Sequence, residues 1–373
     1  MKKIFIIAGE ASGDSHSAEL VRKLRELDPG TRFYGIGGNN LKKQGVELIY
    51  LYEDVNFIGF TAVLKNLSAI KAKLSEAVEK VKELEPDAVI LTDFPGFNIR
   101  FAEKIRKFYK GKIIYYISPQ VWAWHKDRVK KLKKLCDAML VIFPFEVDFY
   151  KQEGMEADYV GHPLIEKTNR FISEHSKRKK TNKIITLLPG SRPEEIKRIL
   201  PGLLEVSKKL QDETRAEIKI ISPPYLNAGF YKDLAKGYNV EIVKDDEDKN
   251  TYYETIYNSD LVFTKAGTTT MECTLLNTPF CVAYRAGRIN YLIGKNMIRV
   301  NYVAMPNILL DKAIVKEFIQ NEMTIDNLYS EGIKILTDEK YREEMKSNFA
   351  TIRELLGDRS ASAAAAEIIN SML

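Results

Sequence analysis

Apolar and polar positions follow two periods along this chain, and the change from one to the other recurs throughout. Ile4 to Ala8 (IFIIA) is an unbroken apolar run, the pattern of a strand buried on both faces. It stops at Gly9-Glu10, and the residues that follow read as a tight turn and then a helix. The same unit of strand, glycine turn and helix returns in KIITLLPGSRPEEIKRILPGLL from Lys183. After each unit, short β-branched runs alternate with helical patterns. The first series is RFYGIG, DAVILTD, KIIYYIS and AMLVIF; the second is EIKIIS, LVFTKAG and FCVAY. Alternation of this kind predicts parallel sheets with crossover helices.

Two such series predict an α/β chain of two doubly wound, Rossmann-like domains, 1–164 and 183–357, with Ile165 to Asn182 as the linker. A length of 373 residues agrees, because single hydrophobic cores stop growing well below that size. Open parallel sheets bind ligands beyond the carboxyl ends of their strands, so the two domains are expected to face each other across a cleft. Beyond Asp311 the pattern is helical. The closing segment, 358–373, contains an alanine run that favours helix, and it is expected to pack on the first domain or on a partner.

Composition narrows the class. A hydrophobic fraction of 45% with 29% charged residues is that of a soluble globular protein rather than a disordered one. Cys136, Cys273 and Cys281 form no CxxC pair, and His16, His125, His162 and His175 are scattered, so neither a disulfide framework nor a zinc site is predicted. A reducing cytoplasm fits. The longest uncharged runs, such as Ile113 to Trp124, fall short of the roughly 20 residues of a spanning helix. The formal charge of +6 is concentrated in KDRVKKLKK from Lys126 and KRKKTNK from Lys177, which suits an anionic membrane face, an anionic substrate or nucleic acid. No nucleic-acid recognition motif accompanies it, and a solvated helix face with a polar linker explains such runs as well.

Candidate chemistry lies in the strand-end turns. Gly190, Ser191 and Arg192 precede Pro193-Glu194-Glu195, a first helical turn; their backbone N–H groups, hydroxyl and guanidinium suit a diphosphate seat, and a plain strand-to-helix turn with a surface arginine is the structural alternative. Gly267 and Thr268 sit in a second such turn, and Glu272, one turn into the next helix, is placed to accept from a ribose diol. No GxxxxGK followed by Ser or Thr is present, so a P-loop is not expected. In the first domain Asp93 ends the strand DAVILTD among apolar neighbours that raise a carboxyl's pKa toward that of a general base. A helix cap or Asx turn is the structural alternative. Glu10 and Asp14 come from a neighbouring strand-end loop. Carboxylates there repel phosphate and suit a hydroxyl-rich acceptor. SPQVWAWH carries both tryptophans, which could stack on a sugar, line an acyl tunnel or fill the core. Val55 to Ile70 bears one charge, and its apolar residues, Phe57, Phe60, Val63 and Leu64 among them, suit either a membrane or acyl contact or a helix buried on all sides.

GEASGD, DFPGFN, SPQVWAW, FPFE (Phe143 to Glu146), GHP (Gly161 to Pro163), LPGSR, AGTTTME and PNIL (Pro306 to Leu309) occur in this order. Together they resemble the lipid-A-disaccharide synthase family over nearly the whole chain. The resemblance implies a metal-independent, inverting glycosyltransferase of GT-B architecture that needs no cofactor. It implies UDP-2,3-diacylglucosamine as donor, 2,3-diacylglucosamine 1-phosphate (lipid X) as acceptor, and a cytoplasmic protein held peripherally at the anionic surface of the inner membrane. Carried over by matching motifs, Glu10, Ser12, Asp14, Asp93 and Asn98 lie on the acceptor side, and Arg192, Glu272 and Asn307 bind UDP. Two positions depart from the pattern. Gly96 replaces a second acid common in the D-x-P turn, which narrows the base to Asp93. His125 stands where an arginine is common, leaving Arg128 as the candidate for a substrate phosphate. The rival expectations are another enzyme acting on UDP-GlcNAc, a 2-epimerase or a GlcNAc transferase, and a two-domain binding protein without chemistry. A homodimer is expected from an apolar surface and a helical tail.

Overall fold

In the computed structural model, residues 1–54, 67–124, 127–178, 182–223, 226–245, 250–287, 291 and 300–373 are described. Among them the chain forms two compact units. The first is built from Met1–Glu166 with Asp358–Leu373, the second from residues between Lys167 and Gly357.

The first unit runs β1 (Lys3–Ala8), α1 (Ala11–Leu27), β2 (Arg32–Gly37), α2 (Asn39–Lys43), β3 (Glu47–Leu51), α3 (Leu67–Leu84), β4 (Ala88–Thr92) and α4 (Pro95–Ile105). It continues with β5 (Lys112–Tyr116), α5 (Val121–Trp124), α6 (Arg128–Leu135), β6 (Ala138–Val141), α7 (Pro144–Gln152), β7 (Asp158–Tyr159) and α8 (Pro163–Glu174). Its seven strands lie in the order β3-β2-β1-β4-β5-β6-β7, every pairing parallel. Strand side chains alternate between two cores. Phe5 and Ile7 of β1 point to the layer of α3, α4 and α6, whereas Ile4, Ile6 and Ala8 point to α1.

The second unit continues with β8 (Ile184–Leu188), α9 (Pro193–Thr214), β9 (Glu217–Ser222), α10 (Ala228–Leu234), β10 (Glu241–Lys244), α11 (Asn250–Tyr257), β11 (Leu261–Thr264), α12 (Thr268–Leu275) and β12 (Phe280–Tyr284). After these come α13 (Met305–Leu310), β13 (Glu317–Ile319), α14 (Ile325–Thr337) and α15 (Glu339–Leu356). Its parallel sheet has the order β10-β9-β8-β11-β12-β13. The last helix, α16 (Ala361–Met372), packs back onto α1 of the first unit, burying Ala361, Ala364, Ala365, Ala366 and Ile369.

Two expectations change. The stretch beyond Asp311, read as wholly helical, contributes the edge strand β13 (Glu317–Ile319), and the linker is in part a helix. The stretch read as a linker begins as α8, because Leu164, Ile165, Thr168 and Phe171 recur at helical spacing and are all buried. Phe171 stacks on His175 with ring centroids 4.2 Å apart and meets Tyr253 and Tyr257 edge-on, so this end of the helix belongs to the second unit. A run of charged residues between the apolar ones had disguised an amphipathic helix.

In each sheet the strand order reverses once, between β1 and β4 in the first and between β8 and β11 in the second. Crossover helices diverge at such a point and leave a crevice at the strands' carboxyl ends. Ala8 pairs with Thr92, and Leu188 with Thr264. Register therefore sets the loops starting at Gly9 and Asp93 side by side, and likewise those starting at Pro189 and Lys265.

Candidate active site

At the first switch point the polypeptide adopts an unusual turn. Asp93 and Phe94 both have left-handed backbones, φ 42° and 47°, a region that costs on the order of 1 kcal/mol or more for each non-glycine residue. Their surroundings hold them there. The Asp93 carbonyl accepts from Tyr115 Oη at 2.6 Å and Asn98 Nδ2 at 2.8 Å, while its N–H donates to Ile117 O at 3.2 Å. The ring of Phe94 lies against Gly9, where a Cβ would come within 2.2 Å of ring carbons. GEASGD thus begins with glycine because the neighbouring turn leaves no room for a side chain.

This turn holds the Asp93 carboxyl among protein atoms while leaving part of the residue open to solvent. Burial raises its pKa to about 7, the charge of Glu10 adds to the rise, and the Phe94 N–H opposes it. A carboxyl of that pKa exchanges a proton at neutral pH. Glu10, half-buried, is the N-cap residue of α1, with Ser12 half-buried in the first turn. Asp14 is engaged with the backbone of the next helix. Its carboxylate is buried and accepts from the N–H groups of Gly38 (2.6 Å), Asn40 (3.0 Å) and Leu41 (3.2 Å), capping α2. Asn98 is fully buried and also donates to Thr92 O, so it shapes the turn. Arg128 is half-buried at the start of α6.

The tryptophan, FPFE and GHP motifs meet beyond β5, β6 and β7. Trp122 Nε1 donates to Glu146 Oε1 at 3.0 Å, and Glu146 Oε2 accepts from the N–H groups of Ile142 and Phe143 at the start of α7. Burial raises Glu146 to about 7 despite these donors. Phe145 packs edge-on to Trp122, and Phe143 lies against His162. Burial lowers His162 to about 3, and its neutral Nδ1 accepts from the Leu164 N–H at 3.3 Å. Trp122 is therefore a core residue held by a hydrogen bond. His125 lies outside the described residues, as do Phe57, Phe60, Val63 and Leu64.

At the second switch point, Gly190 has φ 126°, Ser191 is exposed, and Arg192 is the N-cap residue of α9 with its side chain 44% exposed. Gly267, φ 152°, has open space where a Cβ would be, and Thr268 beside it is exposed. Both loops thus present backbone N–H groups at a helix start, an arrangement that binds anions. Glu272 is buried beneath the loop, accepting from Tyr252 Oη at 2.7 Å and Tyr253 Oη at 3.4 Å. Asn307, expected at UDP, is fully buried. It donates to Val315 O and Glu317 Oε1 and accepts from the N–H groups of Ile314 and Val315, tying α13 to β13. Two residues join the site that sequence reasoning missed. Glu195 Oε2 lies 2.9 Å from Lys265 Nζ, and its Oε1 3.5 Å from Arg192 Nη1. Their signal was the i, i+3 spacing of Arg192 and Glu195 in a helix start, and a lysine at a strand end.

A profile of the family described as lipid-A-disaccharide synthetase matches residues 4–369. The chain belongs to the lipid-A-disaccharide synthase family. It is 36% identical to the lipid-A-disaccharide synthase of Myxococcus xanthus, covering 100% of this chain and 97% of that protein. Identity to the Geobacter metallireducens enzyme is 35%, with the same coverage. Among solved structures, UDP-GlcNAc 2-epimerase from Neisseria meningitidis bound to UDP-GlcNAc superposes with a TM-score of 0.68 over 100% of both chains. At 12% identity that likeness shows the fold alone. Membership in the synthase family makes the chain a glycosyltransferase of GT-B type, a hexosyltransferase, and sets aside the epimerase and pure binding readings.

Proposed function

We propose that this chain transfers the 2,3-diacylglucosamine unit of its UDP donor to the 6-hydroxyl of 2,3-diacylglucosamine 1-phosphate, giving the β-1,6 disaccharide 1-phosphate and UDP. The observation that carries the proposal is Asp93: a carboxyl at a switch point, in a clamped left-handed turn, where burial pushes its pKa up to about 7. Asp93 takes the proton from the acceptor hydroxyl as that oxygen bonds to the donor's anomeric carbon. The bond from that carbon to the diphosphate oxygen breaks, its electron pair leaves with UDP, and the centre inverts through an oxocarbenium-like state. Glu10 and Ser12 offer acceptors and donors to sugar hydroxyls on the same loop, with Arg128 a candidate for the acceptor phosphate. Arg192 and the N–H groups of the Gly190-Ser191 and Gly267-Thr268 turns stabilise charge growing on the leaving diphosphate. Asp14 and Asn98 bond to backbone, Asn307 to backbone and the Glu317 carboxylate, and Glu272 is held beneath the donor loop by tyrosines.

The test is a coupled assay with acylated donor and acceptor in the presence of a chelator. Wild type is expected to release UDP only when acceptor is present. Asp93→Asn is expected to lose turnover by at least about 10²-fold, the usual weight of general base catalysis, with UDP affinity nearly intact. Normal kcat in that variant would remove Asp93 from the role.

Peripheral association with an anionic membrane belongs to the same reading. It is supported by the apolar stretch from Val55 and by Lys130, Lys131, Lys133 and Lys134, all exposed on α6. No helix among the described residues is long and apolar enough to cross a bilayer. Replacing Val63 and Leu64 by serine should reduce sedimentation with anionic vesicles, and undiminished sedimentation would favour a buried helix there. A homodimer remains part of this proposal, supported by sequence alone.

A further inference from the structure

In the second unit two basic side chains stand where electrostatics disfavours them. Arg192 is the N-cap residue of α9, and Lys265 lies two residues before Gly267, the N-cap of α12. A helix N-terminus carries roughly half a positive charge, so a cation there is repelled rather than attracted. Both stand at one switch point, where the Lys265 N–H donates to Leu188 O at 3.3 Å and joins the ends of β8 and β11. A single carboxylate bridges them. Glu195 reaches Lys265 at 2.9 Å and Arg192 at 3.5 Å, with its side chain 13% exposed and that of Lys265 22%. Of the two acids in the first turn of α9, Glu194 lies 3.8 Å from Lys197, so Glu195 alone of that turn faces both Arg192 and Lys265.

The backbone of the loop lies directly on this group. A Cβ at Gly190 would come within 2.9 Å of Glu195 Oε2 and 3.3 Å of Lys265 Cδ. Nothing but glycine therefore separates the loop's N–H groups from the ion pair. An ammonium has three donors, and the bond to Glu195 uses one. A ligand carrying two or more negative charges would both use the others and relieve the repulsion.

We propose that Lys265 is a second cation for the diphosphate of the nucleotide sugar, and that Glu195 is the positioning residue holding Lys265 and Arg192 at their two loops. This rests on reading the second switch point as the nucleotide site. As the glycosidic bond breaks, charge grows on the diphosphate, and a cation held in place beforehand binds that state more tightly than the ground state.

The test is calorimetric titration of the full chain with UDP and, separately, with uridine, which lacks the charge. Wild type should bind UDP far more tightly than uridine. Lys265→Met should weaken UDP binding by roughly 10- to 100-fold, the worth of a charge-assisted hydrogen bond, and change uridine binding by less than about threefold. Lys265→Arg should retain most of the UDP affinity. Glu195→Gln should erode the preference for UDP over uridine, and Glu195→Asp should restore part of it, a response that a merely structural acid would not show. Should the Met variant fail to fold, Lys265→Gln carries the same expectation. UDP affinity unchanged in a folded Lys265 variant, or equal losses for UDP and uridine, would overturn the proposal. Wild-type protein that binds no UDP would instead overturn the nucleotide reading on which it stands.

Discussion

Asp93 combines two unfavourable states, a left-handed backbone and a carboxyl in a poorly solvated place, and each has a consequence for pH. Because its folded pKa, about 7, lies above the roughly 3.9 of an unfolded aspartate, the folded protein holds this proton more tightly. The stability it contributes is full below pH 4 and is lost as pH rises through 7. Asp93→Asn, which cannot ionise, should therefore raise the melting temperature more at pH 8 than at pH 5, and an equal effect at both would contradict the raised pKa. Catalysis runs the other way. The base works only when deprotonated, so the rate should climb with pH through about 7. Glu10 contributes to the rise in pKa, so Glu10→Gln should move that acid limb toward lower pH; a limb moved upward or left in place would show that Glu10 does not act on Asp93 through its charge.

Elements in the first unit are joined by side chains whose sequence context suggested chemistry. Asp14 caps a helix that begins at Asn39, and Glu146 holds both the start of α7 and Trp122. Asp14→Ala would leave three N–H groups, on Gly38, Asn40 and Leu41, without their acceptor, at a cost of about 1–3 kcal/mol. A fall in melting temperature with unchanged UDP affinity is expected, and a stable variant with impaired acceptor binding would return Asp14 to the substrate. The alternation of strand and helix was legible because period and turn residues act locally. Which loops lie together follows from strand order and register, and Asp93 and Arg192 were found at switch points because strand ends are visible in sequence. The partners of Asp14 and Asn307 were not legible. A carboxylate in a strand-end loop looks the same whether it meets a sugar or a backbone segment 24 residues on. The role of Gly9 was hidden for the same reason, since the ring that excludes a side chain there belongs to Phe94.

At the scale of the whole molecule, the last helix of the chain completes the first core. Ser360 caps α16 and donates to Glu166 Oε2 at 2.8 Å, Lys2 Nζ reaches Asn370 Oδ1 at 3.2 Å, and Arg359 donates to Tyr159 O at 2.8 Å. Beneath these polar ties, Ala364, Ala365, Ala366 and Ile369 cover Ala18, Val21 and Leu24 of α1. The alanines allow close approach of two helices, which larger residues would prevent. A chain ending at Gly357 would expose this face to water and remove the contacts of Lys2 and Tyr159 together. At roughly 25 cal/mol per Å² of apolar surface, the loss amounts to several kcal/mol, enough to lower the unfolding midpoint of the first unit by roughly 10 °C or more. The proposed nucleotide residues, Arg192, Glu195, Lys265 and Thr268, all belong to the second unit. UDP should therefore still bind the shortened chain within about threefold of its original affinity and protect one thermal transition while the other has moved down. A single transition at the original temperature would mean that α16 adds nothing to the first core.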